Sequence, residues 1–167
     1  MKITLSIISA LLVISCGGSP ERMPSHRLKQ PNNNISYITP DSWYVGKLPG
    51  SDGLACYTEM DYGIHPNIRV ELISSEPFSI ESFISNNRSS YKGFAVLKEN
   101  EFKTSKGIVG RKFEVRRLNI QKIPISHFYY FFLYKNRSYV ITATCPEDTV
   151  QNYKFLFDQS LKTIEFE

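Results

Sequence analysis

The sequence predicts an α+β domain built on antiparallel strands. Between His127 and Phe166, two aromatic and apolar runs, HFYYFFLY and SYVITATC, flank the short polar break KNR, which reads as strand, tight turn, strand. An amphipathic helical stretch and the short tail LKTIEF follow. Upstream, NIRVELIS (67–74) alternates Ile68, Val70 and Leu72 against Arg69 and Glu71, the pattern of a strand with one face in a core and one in water. A chain of 167 residues, 41% hydrophobic and 13% aromatic, buries one ordinary core, so a single globular domain is expected.

Met1 to Ser15 holds one early positive charge, Lys2, and then ITLSIISALLVIS, with no charge and no aromatic residue. This is a signal sequence, because about a dozen apolar residues fall short of the roughly 20 that span a bilayer. Val13, Ile14 and Ser15 ahead of Cys16 resemble the bacterial lipobox. That resemblance implies cleavage before Cys16, diacylation of its sulfur and acylation of the new N-terminus. Two or more acyl chains hold a protein at a membrane without a spanning helix. Gly17 stands where, in lipoproteins, an Asp signals inner-membrane retention, which points to the outer membrane of the cell envelope.

Gly17 to Asn34, GGSPERMPSHRLKQPNNN, is polar, has prolines at 20, 24 and 31 and lacks aromatic residues. It reads as a flexible tether that sets the domain roughly 20 to 25 Å from the lipid. Residues 16–34 are thus assigned to lipidated cysteine and tether, with His26 a solvated linker residue, and 35–167 to the globular domain.

Within that domain, ISYITPDSWYVG (35–46) reads as two short extended pieces broken at Pro40-Asp41, with Trp43, the only tryptophan, as a packing anchor. Leu54 to Tyr62 alternates Leu54, Cys56, Thr58 and Met60 on one face. In the loop DYGIHP, Asp61 and His65 either pair or are incidental loop residues, the second being favoured. Ser79 to Tyr91 places Ile80, Phe83, Ile84 and Tyr91 on one side of a helix capped by Ser79. Phe94–Phe102 and Ile108–Ile120 follow as strands. In the second of these Phe113 and Val115 oppose Lys112, Glu114 and Arg116, and a bulge is expected at Arg117-Leu118. His127–Tyr134, apolar on both faces, belongs mid-sheet beside Tyr139–Cys145. After Pro146, the acidic turn Glu147-Asp148-Thr149 opens a second helix with Val150, Tyr153, Leu156, Phe157 and Ser160 inward, and LKTIEF closes as a strand.

Tyr37-Ile38-Thr39-Pro40-x-x-Trp43, the helix start Ser79-Ile80-Glu81-Ser82-Phe83, the Gly107–Phe113 strand entry and the tail Ser160-Leu161-Lys162-Thr163-Ile164 resemble the PsbP-like and DcrB-like proteins over about Ile35 to Phe166. The resemblance implies an antiparallel sheet packed between helices, an α/β/α sandwich. It also implies a binding or assembly scaffold rather than an enzyme, and offers no catalytic motif to transfer.

The residue chemistry agrees with that expectation. The chain has no G-x-S-x-G, H-E-x-x-H, C-x-x-C or glycine-rich phosphate loop, and its scattered histidines make a poor metal set. No cofactor, metal or catalytic residue is therefore expected. The alternatives are an envelope hydrolase or thiol enzyme drawing on Cys56, Cys145, His65 and His127, or a small-ligand carrier. In an exported protein Cys56 and Cys145 are either a disulfide or two buried thiols, and both stay open. The formal charge of +4 is spread along the chain, so nucleic acid is not indicated. The cluster Arg111, Lys112, Arg116, Arg117 and Lys122 faces either solvent or an anionic lipid or glycan. The expected partners are the membrane, through Cys16, and an unidentified envelope protein.

Overall fold

The computed structural model describes residues 22–31, 34–48, 53–74 and 76–167. Its centre is the hairpin of β8 (Pro124–Tyr134) and β9 (Arg137–Pro146). The turn between them is Lys135-Asn136, both left-handed (φ 46 and 61), the geometry that matches the twist of paired strands. Phe128, Tyr130, Phe132, Tyr139, Ile141, Ala143 and Cys145 face one side of this hairpin, and Tyr129, Phe131 and Val140 the other. Both sides therefore have to be covered.

The preceding elements are β1 (Arg27–Lys29), β2 (Ile35–Ile38), β3 (Tyr44–Gly46), β4 (Ala55–Tyr57), β5 (Asn67–Ser74), α1 (Ile80–Ser90), β6 (Ala95–Lys103) and β7 (Val109–Leu118); α2 (Val150–Lys162) and β10 (Glu165–Phe166) close the chain. The main sheet is antiparallel, with strand order β3-β4-β5-β9-β8-β7-β6. Helix α1 covers one face with Ile80 and Ile84 against Phe113, Val115, Tyr129 and Val140. Ser79 caps it as its spacing predicts, accepting from the Ser82 amide at 3.3 Å. Helix α2 covers the other face with Phe157 and Leu161, and Trp43 meets Tyr153 and Phe157 edge-on. The result is the α/β/α sandwich that the family resemblance implies. No helix among the described residues is long and apolar enough to cross a membrane.

A charge pair ties α2 to the sheet. Lys112 of β7, almost fully buried, donates to Asp158 at 2.5 Å, and the Tyr130 hydroxyl donates to the same carboxylate oxygen at 2.7 Å. Burial pushes the Lys112 ammonium below its usual range, while Asp158 pulls it back.

Several expectations need correction. The tether assigned to residues 16–34 is folded from Arg22 to Pro31: β1 and β10 flank β2 in a second sheet, Leu28 is buried in the core, and Gln30 exchanges hydrogen bonds with the Leu54 backbone at 2.8 and 3.1 Å. His26 is held within this segment, its Nδ1 lying 3.0 Å from the Pro24 carbonyl. Residues 1–21 lie outside the described residues, and with them Cys16. The bulge expected at Arg117-Leu118 is absent, since β7 pairs with β8 in unbroken register through Leu118. The shifts occur instead in β5 between Val70 and Leu72 and in β6 between Val96 and Lys98. Past the first shift, Ile73 packs against the same core cluster as Ile68 and Val70. Strand β4 is short, leaving Met60 in an exposed loop, and α2 runs to Lys162, so Leu161 is helical.

Gly110 shows how closely the central strands are packed. A Cβ there would lie 2.4 Å from the Phe131 carbonyl oxygen and 2.6 Å from the Phe132 ring. Gly110→Ala is expected to lower stability by about 3 kcal/mol through overpacking, read as a lower urea midpoint with an unchanged slope.

Candidate functional site

On the α1 face, β7 carries Val109, Arg111 and Phe113 in alternation, opposite Phe131 on β8. On this face a groove opens along the β6 edge. Its wider part, about 660 Å³, has Val109, Phe131 and Leu133 as an apolar floor and Glu99 and Glu101 at its rim. A narrower part of about 280 Å³ continues under α1, between Ile84 and Arg88 on the helix and Val96 and Phe113 on the sheet. Val109 and Leu133 are each more than half exposed, although both are strand residues in a sheet of otherwise covered aromatic rings.

Arg111 stands where the two parts meet. Its guanidinium bonds Glu99 of the edge strand through Nε (2.8 Å) and Nη2 (2.5 Å), and Glu81 of the first turn of α1 through Nη1 (2.5 Å). It lies 5.0 Å from the centre of the Phe113 ring. The Arg111 bond, with help from the Ser79 hydroxyl, holds the Glu81 carboxyl down at about 2. Arg111 thus latches the helix start to the sheet edge across the groove, giving it an apolar floor and an acidic rim with one fixed cation.

The residues singled out for chemistry do not assemble. Cys56 and Cys145 are free, buried thiols. They lie on β4 and β9 with β5 between them, and two strand spacings of about 4.8 Å exceed the roughly 7 Å that a disulfide can bridge. Burial pushes both thiols up to about 12. His127 is on the opposite face of the sheet, stacked on Tyr129 with its Nδ1 2.9 Å from the Thr144 hydroxyl. Burial, with Arg117 and Arg69 nearby, holds it neutral, well below its usual range. His65 donates to the Thr58 carbonyl at 2.9 Å and packs against Tyr57, whereas Asp61 accepts from Thr149 and Tyr153, so these two do not pair. Among the described residues no group of His, Cys, Asp and Glu is arranged to hold a metal ion. The groove itself went unnoticed in the sequence, except for Arg111. Its signal was the pair Val109 and Leu133, apolar residues at the ends of strands that meet across the β7–β8 ladder.

No family model matches the chain, and no curated protein matches it. Among solved structures, it is similar to the solution structure of cyanobacterial PsbP (CyanoP) from Synechocystis, with a TM-score of 0.62 and 15% identity over 93% of this chain and 99% of that one. A Pseudomonas aeruginosa protein of unknown function is matched at a TM-score of 0.48 and 12% identity, over 84% of this chain and 95% of that one. The first likeness establishes a PsbP-like fold.

Glu81 reports on the latch. Its folded value lies below the roughly 4.3 of a free Glu, so its stabilising contribution is present above about pH 4.3 and lost as pH falls through about 2. A carbon-detected titration is expected to place Glu81 near 2, and Arg111→Met should return it towards the free value. The thiols provide a second check. Native Cys16→Ser protein at neutral pH is expected to show no alkylation of Cys56 or Cys145 by iodoacetamide, and unfolding should expose both to it.

Proposed function

We propose that this chain is a lipid-anchored envelope protein whose folded body is a non-catalytic binding or assembly scaffold, with the groove beside β6 as its partner site. The observation that carries this is the edge itself. Strand β6 runs for 9 residues with one edge paired to β7 and, among the described residues, the other unpaired, beside a groove with an apolar floor. An extended partner segment adds to such an edge through main-chain bonds and places alternate side chains in the groove. Lys98, Glu99, Glu101 and Lys103 along β6, with the register shift at Val96/Lys98, discourage indiscriminate pairing between copies. Glu101, which has no ion pair among the described residues, favours a partner with a basic residue next to its apolar ones.

The non-catalytic part of the reading is supported by the separation of the candidate groups. The sheet lies between His127 and both thiols, and those thiols are held protonated. Anchoring rests on the lipobox-like residues before Cys16, and Gly17 favours the outer membrane. The PsbP-like fold is in keeping with a scaffold.

Two experiments test the two halves. Palmitate bearing an alkyne tag should label the wild-type chain in a bacterial host and not Cys16→Ser; equal labelling of both would remove the anchor. A photo-reactive amino acid at Leu133 or Val109 should give a discrete cross-linked species, whereas one at Phe155, exposed on α2, should not. Absence of product at the groove positions, or the same product at Phe155, would sink the groove as the partner site.

A further inference from the structure

Of the basic cluster flagged in the sequence, three members are neutralised: Arg111 by Glu81 and Glu99, Lys112 by Asp158, and Arg116 by Glu147. Arg117 and Lys122 have no ion pair among the described residues, and neither has Lys92. These three cations line one pocket of about 270 Å³ with Tyr91 and Leu118, and no carboxylate lines it. The Arg117 guanidinium sits 3.9 Å from the centre of the Tyr91 ring, and its Nε is buried without a partner among the described groups.

The pocket opens at one end of the main sheet. There β7 ends at Leu118, β8 begins at Pro124 and β9 ends at Pro146, while β4 ends at Tyr57 and β5 begins at Asn67. The β4–β5 and β7–β8 loops meet at this end, since a Cβ on Gly63 would lie 3.5 Å from Ile123. Their tips are fixed. Asp61 and Ile64 exchange backbone bonds at 2.7 and 2.9 Å around Tyr62-Gly63, and the Asn119 side chain accepts from the Gln121 and Ile123 amides, both at 2.9 Å. What these braced turns display is apolar: Ile120 is 99% exposed, Tyr62 63% and Met60 62%. The described chain also starts here, because Arg22 donates to Tyr44 at 3.1 Å and pairs with Glu59, and Met23 bridges to Trp43. Of the carboxylates at this end, Asp61 is engaged by Thr149 and Tyr153, Glu147 by Ser126 and Arg116, and Glu59 by Arg22; Asp148 is exposed at the turn that leads into α2, and none of the four lines the pocket.

We infer that this end of the sheet docks on an anionic membrane surface, with Ile120 and Tyr62 entering the headgroup layer and Lys92, Arg117 and Lys122 meeting lipid phosphates. Apolar tips beside uncompensated cations suit a bilayer interface, where one part of the surface is buried and the other is attracted to anionic lipid. The position of the chain start gives a second argument, which rests on the lipid-anchor reading above. Cys16 is six residues before Arg22, so even fully extended chain keeps this end within about 21 Å of an acylated Cys16.

The test uses the full chain as Cys16→Ser, so that no acyl group contributes. Vesicles of phosphatidylcholine, with and without phosphatidylglycerol, are titrated against protein carrying a fluorophore on an introduced Ile120→Cys, the thiols of Cys56 and Cys145 being buried. A blue shift is expected with the phosphatidylglycerol vesicles only, weakening as salt rises. Lys92→Ala and Lys122→Ala should each weaken that response about fivefold. In unlabelled protein, Ile120→Asp should reduce co-sedimentation with the same vesicles while leaving the urea midpoint unchanged. The inference is overturned if the fluorophore stays unshifted while the protein co-sediments, because the first fifteen residues then do the binding. Equal shifts on both vesicle types overturn it too, as does a response to free glycerol 3-phosphate without one to vesicles. Palmitate labelling of the wild-type chain is a separate measurement, so loss of the anchor and loss of the docking surface are told apart.

Discussion

The structure depends on the hairpin of β8 and β9 being apolar on both faces. Phe128, Tyr130 and Phe132 on one side and Tyr129 and Phe131 on the other leave neither side fit for water, so one helix is not enough. The chain supplies α1 before the hairpin and α2 after it, on opposite faces. On the α1 side the edge of β6 stays open, and the groove runs along it and continues under the helix.

Charge is distributed with the same economy of position. Lys112 and Asp158 are taken out of water together, with the Tyr130 hydroxyl on the same oxygen and the Phe128 and Tyr130 rings about the ammonium at 5.0 and 5.3 Å. Desolvation offsets much of what such a pair gains, so its effect on net stability is small. Its geometric effect is larger, because a single acceptor fixes where α2 sits along β7. Arg111 does the corresponding work on the other face at the surface, setting the start of α1 against Glu99. With these cations committed, Arg117 and Lys122 are the members of the basic cluster without an ion pair among the described residues, and they lie at the far end of the β7–β8 ladder in a pocket that no carboxylate lines.

Periodicity made the two helices, the Ser79 cap and the central hairpin legible before any coordinates, since each depends on contacts close in sequence. Elements that depend on distant partners were not legible. Arg27-Leu28-Lys29 reads as tether because one leucine among polar residues has no local reason to be a strand, and its partner β2 is held from the other side by β10 at the opposite end of the chain. The bulge was placed in the wrong strand for a similar reason. Arg117 looked out of phase as a cation, yet it lies on the α1 face in register, and its guanidinium is stacked on the ring of Tyr91, which caps the end of α1. The thiols were rightly read as inward-facing, but which strands separate them is a matter of topology that spacing does not carry.

The small second sheet joins the two ends of the molecule. Strand β2 pairs with β1 on one side and β10 on the other, the Glu167 amide donates to the Asn34 carbonyl at 2.8 Å, and Lys29 and Arg27 pair with Glu167 and Glu165. Strands β1 and β2 are synthesised long before β10, and two strands this short are marginal by themselves. The small sheet therefore closes only once residues 165–166 are available, and removing them would leave β2 with one side unpaired, loosening a segment more than a hundred residues away in sequence.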